Sequence, residues 1–522
     1  MISGFVRARR MFIGAVCVLL LAACVVVSTT TRNAMVDARE VAGTHVNAPF
    51  KAHLLDGSVI LFDRGAEVGA TRVSGNGRRF DVTRRQGEQT DGVSIDSVIG
   101  FEVYQRRVNP LRTLVYAPVS LVGSIISTAI IGAVVFGSCP TIYADSAGVP
   151  TLQAESFSYS ISPLLAKRDV DRMTVTPDAM GVIRLAVRNE ALETHHLDHM
   201  EILEVRHRAD EMALPSPRGG ALAASDFATA SVRDRAGRDV SRIVAKSDEI
   251  AFSTDDAFLN RAIQGGPTDD QLTIAIPRRP GVDSVALVMK ARSSLLTTSV
   301  LYEHLMGRQG ALALDFMGED LSKITTLAKL ASWYGGNFGM RVEVQDGEGW
   351  RPVIRLMDFG PTAWRVMGVA IPVARSVDDS VRIRLTFAAD AFRIDHLGVA
   401  QHVRRAEQRI IPLARAVDAD GKSRPDIVAM LAKADDREVE THPGDQFHIE
   451  FDADTASGTS RTFFFAAQGY YVEWLRPSWM KDAATAEPFA SSKTTIRDLL
   501  RTWRGGRDSL ETLFFTRKVP IA

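Results

Sequence analysis

Residues 114–137 read LVYAPVSLVGSIISTAIIGAVVFG, and no residue between Thr113 and Ala144 carries a charge. About 20 consecutive apolar residues suffice to span a bilayer as a helix. A chain that holds such a run is either tied to a membrane or obliged to hide the run in a core. Pro118, Gly123, Gly132 and several Ser and Thr weaken the run as a span, although small residues also suit close packing between membrane helices. A membrane location is expected, with a buried core helix as the alternative. The run also divides the chain. A leader and one small β-rich unit precede it, and a long β-rich tract begins after it at Ser138-Cys139-Pro140.

A length of 522 residues leaves room for about three to five domains. Hydrophobic residues make up 46% of the chain, which predicts folded cores. Lys+Arg and Asp+Glu both total 62, so no basic surplus points to nucleic acid. The three cysteines, Cys17, Cys24 and Cys139, are too few for a disulfide framework or a cysteine metal site.

Residues 1–23 have the three parts of a secretory signal. Arg7, Arg9 and Arg10 form a charged opening, Met11 to Leu21 is apolar, and small residues follow. Losing those three arginines with the leader takes the formal balance from zero to −3. Leu21-Ala22-Ala23-Cys24 resembles the lipobox of bacterial lipoproteins. The resemblance implies that the Cys24 thiol accepts diacylglycerol and becomes the mature N-terminus. Val25 in place of Asp after it implies the outer membrane, facing the periplasm. An uncleaved signal anchor is the other reading of this stretch.

The two membrane signals pull against each other. Arg106, Arg107 and Arg112 precede the apolar run and no cation follows it closely. Positive-inside logic puts the N-terminal side of such a run in the cytoplasm. A lipoprotein leader puts the same side outside. Both do not hold for an ordinary inner-membrane span.

Strand and turn signals organise the rest. Asp56-Gly57 turns between Ala52–Leu55 and Ser58–Phe62, and Gly75-Asn76-Gly77 reads as a turn between Val68–Val73 and Arg79–Thr83. Five short strands in this stretch predict a small SH3-like or Sm-like barrel. Ile183 to Glu190 alternates at period two, and a helix is expected over 321–333 from Leu321, Ile324, Leu327, Leu330 and Ala331. Evenly spaced strands from Met340 to Val399 predict an antiparallel sandwich. A short helix over 421–435, long strands at 446–451 and 459–473, a helix over 494–503 and a final strand over 513–519 complete the chain.

The expected units are a leader over 1–23, a tether over 24–47, a barrel-like unit over 48–110 and the hydrophobic segment over 111–137. A β-rich module over 138–215, a loop-rich connector over 216–280, a sandwich over 281–405, a β-rich module over 406–480 and a helical tail over 481–522 follow. The fold class is mainly β, with one hydrophobic helix and a few others.

The order S-C-P-T-I-Y, L-L-A-K-R-D and I-R-L-A-V-R-N-E-A-L-E-T resembles an uncharacterised family of bacterial envelope proteins that carry an S-C-P-x-x-Y motif just after a hydrophobic segment. The resemblance runs with gaps over about 100–480 and brings no activity with it. The family has Asp-Gly in the turn after the tyrosine, whereas this chain has Asp145-Ser146-Ala147-Gly148. V-R-I-R-L followed by F-R-I-D-H-L-G-V looks like the closing strands of galactose-binding-like jelly rolls, over about 280–400.

His195, His196, His199 and His207 gather near Glu193 and Asp198, a set of donors suited to zinc. On a strand, His195 and His199 share a face but lie ~13 Å apart, too far for one ion. Solvated edge histidines are therefore expected, with no metal and no cofactor. No nucleophile elbow, P-loop, H-E-x-x-H or dinucleotide fingerprint is present. Asp358 and Asp395 stand alone as acids, so no catalytic residue is named. Tyr470, Tyr471 and Trp474 are the candidate binding residues, because aromatic rows stack on sugars or partner side chains. The expectation is a non-enzymatic envelope lipoprotein that binds a glycan, a peptide or another envelope protein. A hydrolase or metal-dependent enzyme using the histidines, and an integral membrane scaffold using 114–137, are the alternatives.

Overall fold

A computed structural model describes residues 29–36, 41–47, 50–56, 58–80, 88–108, 140–146, 149–191, 193–313, 316–321, 323–357, 359–373, 379–435, 437–455, 460–474 and 495–516. The lipobox with Cys24, the apolar run 114–137, Cys139 and Asp358 lie outside these residues. The protein is mainly β, built from several curled antiparallel sheets. Among the described residues, no helix is long and apolar enough to cross a membrane.

The first sheet has eight strands and holds everything described before Val108. Its strands run in the order Thr29–Val36, Val98–Val108, Phe50–Leu54, Val59–Phe62, Arg72–Phe80, Ala66–Val68 and Thr44–Val46, with Glu88–Ser94 paired beside Arg72–Phe80. The expected tether over 24–47 thus contains two strands, and Thr29–Val36 pairs along its whole length with Val98–Val108. The expected strand Val68–Val73 is instead a hairpin, with a turn over 69–71 and Val68 paired with Val73. Gly75-Asn76-Gly77 lies inside a strand, at a register shift between Ser74 and Gly77. A Cβ on Gly77 would come within 2.7 Å of Ile60 and 3.0 Å of Phe62, so the glycine permits a bulge against the core. One face of this sheet packs Phe50, Ala52, Leu54, Ile60, Phe62 and Phe101 into a core of its own.

The second sheet has nine strands and joins segments far apart in sequence. Glu193–His207 pairs with Ser460–Glu473 over almost its full length, and Val182–Arg188 pairs with Gln446–Asp452. The modules expected separately at 138–215 and 406–480 therefore share one sheet. Two five-stranded sheets are inserted between its halves. One contains Ala221–Ala228, Phe392–Ala406 and Ser284–Ser293, and the other contains Asp269–Pro277, Ser380–Ala388 and Met340–Asp346. Residues 216–280, expected as a loop-rich connector, supply strands to both. Leu272, Ile274, Leu287, Met289, Ile383, Leu385 and Val399 from the two sheets enter one continuous core.

Helices close this core. Asp256–Ile263 starts at Asp255, whose carboxylate accepts from the Phe258 amide at 2.6 Å. Ile324–Phe338 begins later than its apolar spacing predicts, and Ile324 points outward at 50% exposure. The last helix, Ile496–Thr516, passes through the stretch expected as a strand from Leu513. It docks through Trp503, which is buried and whose Nε1 donates to Asp390 at 2.7 Å.

Candidate functional site

The chemistry-bearing side chains converge where the first sheet meets the second. The strand Phe50–Leu54 alternates, so Lys51 and His53 leave the core face taken by Phe50 and Ala52. Lys51 lies opposite Glu102, and Val59 and Leu61 lie opposite His53 and Lys51. This second face is also buried. Lys51 Nζ donates to Glu102 Oε1 at 3.0 Å, and His53 Nε2 lies 3.0 Å from the other carboxylate oxygen. All three side chains are almost wholly removed from solvent.

Trp474 of the second sheet covers this group. The Lys51 ammonium sits 4.1 Å from the Trp474 ring centre, a cation–π contact in a dry setting. Phe80 meets the same ring edge to face at 5.4 Å. Val59, Leu61, Phe80 and Trp474 form one buried cluster. The Trp474 Nε1 donates to the Thr194 hydroxyl at 3.1 Å, which fixes the indole to the second sheet. Beside it, the Tyr302 hydroxyl donates to Glu473. Arg78 adds an ion pair across the junction, 3.5 Å from Asp445.

Burial governs the charges here. It pulls the Lys51 ammonium down to about 8, against the opposing pull of Glu102. Burial also pushes the Glu102 carboxyl up, but Lys51 and His53 outweigh it and hold the group below the ordinary carboxylate range. The seam is thus a charge pair held by its neighbours, with both ions kept by mutual attraction.

His195 and His196 follow Thr194 on the strand Glu193–His207. His195 and His196 are fully buried, which corrects the expectation of solvated edge histidines. His196 stacks on Tyr470 with ring centres 4.5 Å apart and 9° between planes. Its Nδ1 is 3.4 Å from Glu438, and the Tyr470 hydroxyl reaches the same carboxylate at 3.2 Å. His195 lies 3.4 Å from Glu193, and burial lowers its pKa to about 3, so the ring is neutral. The facing of His195 and His199 also needs correction. Leu197 pairs with Gly469 but His199 pairs with Gln468, so Asp198 is an extra residue in the strand. The pleat changes phase there, and His195 and His199 lie on opposite faces. Asp198 accepts from the Asp435 amide at 2.8 Å and from Gln468 Nε2 at 2.9 Å, which secures the bulge. His207 is farther off and bonds Thr462 at 2.9 Å.

Tyr470, Tyr471 and Trp474 are all buried, each engaged inside the chain. The Tyr471 hydroxyl donates to the Ser158 carbonyl at 3.2 Å. Asp395 is buried as well. It accepts from the Glu249 amide at 2.6 Å and pairs with Lys290 at 2.8 Å, so it anchors the 245–250 loop. Lys51, His53, Glu102, Tyr302 and Glu473 were not singled out from sequence. Their one signal was Val59–Phe62, four apolar residues in a row where a half-buried strand would alternate.

No family model matches the chain, and no curated protein matches it. A GH31 alpha-xylosidase from Xanthomonas citri matches with 9% identity over 84% of this chain and 38% of its own, at a TM-score of 0.14. The chain thus spans well under half the length of that enzyme. The infectious bursal disease virus VP2 subviral particle matches with 9% identity over 92% of this chain and 88% of its own, at a TM-score of 0.15. Likenesses at these scores carry no argument about fold or function.

Proposed function

We propose that this protein is a membrane-anchored envelope lipoprotein that acts as a non-enzymatic binding or assembly module. Cys24 carries the lipid, and the protein faces the periplasm from the outer membrane. The first sheet is read as an SH3-like or Sm-like barrel, and the two five-stranded sheets as a galactose-binding-like sandwich. The partner is a glycan, a peptide or another envelope protein.

The observation that supports this reading is the use made of the reactive side chains. Lys51, Glu102, His53 and Trp474 are spent on joining one β unit to another, in a seam closed to solvent, and His195 and His196 are buried within the second sheet. A rigid body of packed sheets leaves its loops for recognition. A lipid tether would hold that body near envelope partners and raise its effective concentration there.

The test is crosslinking in intact cells with the wild type and with Cys24→Ser, followed by mass spectrometry of the adducts. The reading expects one recurrent envelope adduct that is lost when the anchor is lost. An adduct pattern unchanged by Cys24→Ser would reject anchored assembly.

A further inference from the structure

The apolar run connects two parts of one packed body. The last described residue before it is Val108, at the end of the strand Val98–Val108 in the first sheet. The first after it is Pro140, which leads into Thr141–Ser146 of the second sheet. These two sheets are not independent. They share the seam of Lys51, Glu102, His53, Phe80 and Trp474, with Arg78 and Asp445 beside it.

A helix that crossed a bilayer once between Val108 and Pro140 would leave the two sheets on opposite sides. The hydrocarbon core alone is about 30 Å thick, whereas the contacts across the seam are 3.5 to 5.4 Å. Splitting the seam would also bare Val59, Leu61, Phe80 and Trp474 together with a Lys–Glu pair that is wholly buried. A single crossing and the observed seam are therefore incompatible. Two helical crossings need about 34 to 50 residues before any turn, and residues 109–139 supply 31. A pair of strands would return to the starting side, and only a closed barrel satisfies its backbone edges.

We infer that the β unit before Val108 and the body after Pro140 lie on the same side of the membrane, and that the apolar run does not separate them. This rests on the membrane location proposed above only in supplying a membrane to be sided against. The two conflicting signals are reconciled by the same geometry. Positive-inside logic applies to a run that crosses, and the leader then sets the side of the whole protein without contradiction.

The experiment places one cysteine in each unit of the full chain, in a Cys139→Ser background. Leu55→Cys and Met180→Cys suit this, since these side chains are 71% and 74% exposed. Cells are treated with a membrane-impermeant maleimide before and after permeabilisation of each membrane. The inference expects the two sites to become reactive at the same permeabilisation step and to the same extent. Labelling of one site a step before the other overturns it, whichever comes first. Should both sites label together but only after inner-membrane lysis, sidedness holds while the periplasmic location proposed above fails. The two ideas are thus separated in one assay. A companion Trp474→Phe variant, which keeps the ring, should label in the same pattern.

Discussion

Replacing Trp474 by Ala should loosen the first β unit from the body without unfolding either. An indole removes about 150–250 Å² from water, which at about 25 cal/mol per Å² is about 4–6 kcal/mol. Measured Trp→Ala changes in cores fall at about 3–5 kcal/mol. The variant also strips the cation–π partner from Lys51 and the donor from Thr194, while the Lys51–Glu102 pair survives. A loss of about 4 kcal/mol at the seam is then the central expectation, or about a thousandfold in the opening equilibrium. Trp474→Phe keeps the edge-to-face contact with Phe80 and loses one neutral hydrogen bond, worth about 1 kcal/mol, or less than tenfold. Amide exchange on Val59–Phe62 and Arg72–Phe80 reads this directly, because these strands carry the residues against the indole. Exchange in Asp269–Pro277, a strand of a different sheet, is the internal control. If Trp474→Ala leaves protection of Val59–Phe62 as in the wild type, or lowers it no more than Trp474→Phe does, the seam is not what joins the units.

Acid should destabilise the fold through His195. Its pKa is near 3 when folded against 6.5 for the free group, so between these values the unfolded chain binds the extra proton. Stability therefore rises with pH across that window and is lost as pH falls through it, by up to about 1.4 kcal/mol per pH unit. Urea midpoints from pH 7 to pH 4 should fall less steeply in His195→Leu, and equal slopes would remove His195 from the account. Cys24→Ser should abolish incorporation of a fatty-acid analogue, and persistent labelling would show that Cys24 is not the acceptor. With that substitution and an ordinary cleavable signal, the protein should still pellet with membranes after alkaline carbonate washing, because residues 114–137 add lipid affinity of their own. Complete release would assign the run to a protein core. Cys139 should react slowly with alkylating agents in the native protein, since an apolar run precedes it and buried thiols are inert. Rapid alkylation would contradict that.

What the sequence determined by itself is local. Period-two alternation marked Val182–Arg188, the Asp-Gly turn placed the strands on either side of it, and an apolar 3.6-residue spacing marked the start of Ile324–Phe338 to within one turn. Each of these depends on neighbours a few residues away, and side-chain periodicity reports such neighbours directly. The mainly β class follows from the same signals.

What only the tertiary structure decided is pairing at long range and the meaning of particular residues. Glu193–His207 finds its partner Ser460–Glu473 more than 250 residues later, and nothing in either strand names the other. The extra residue at Asp198 then reverses the faces of every later side chain, so a four-residue count from His195 to His199 misleads. The seam shows the same limit. Lys51, His53 and Glu102 read singly as surface charges, because a charged side chain is normally left in water. They become interior only when a second sheet brings Trp474 over them, and that contact forms between surfaces that each strand encodes without reference to the other.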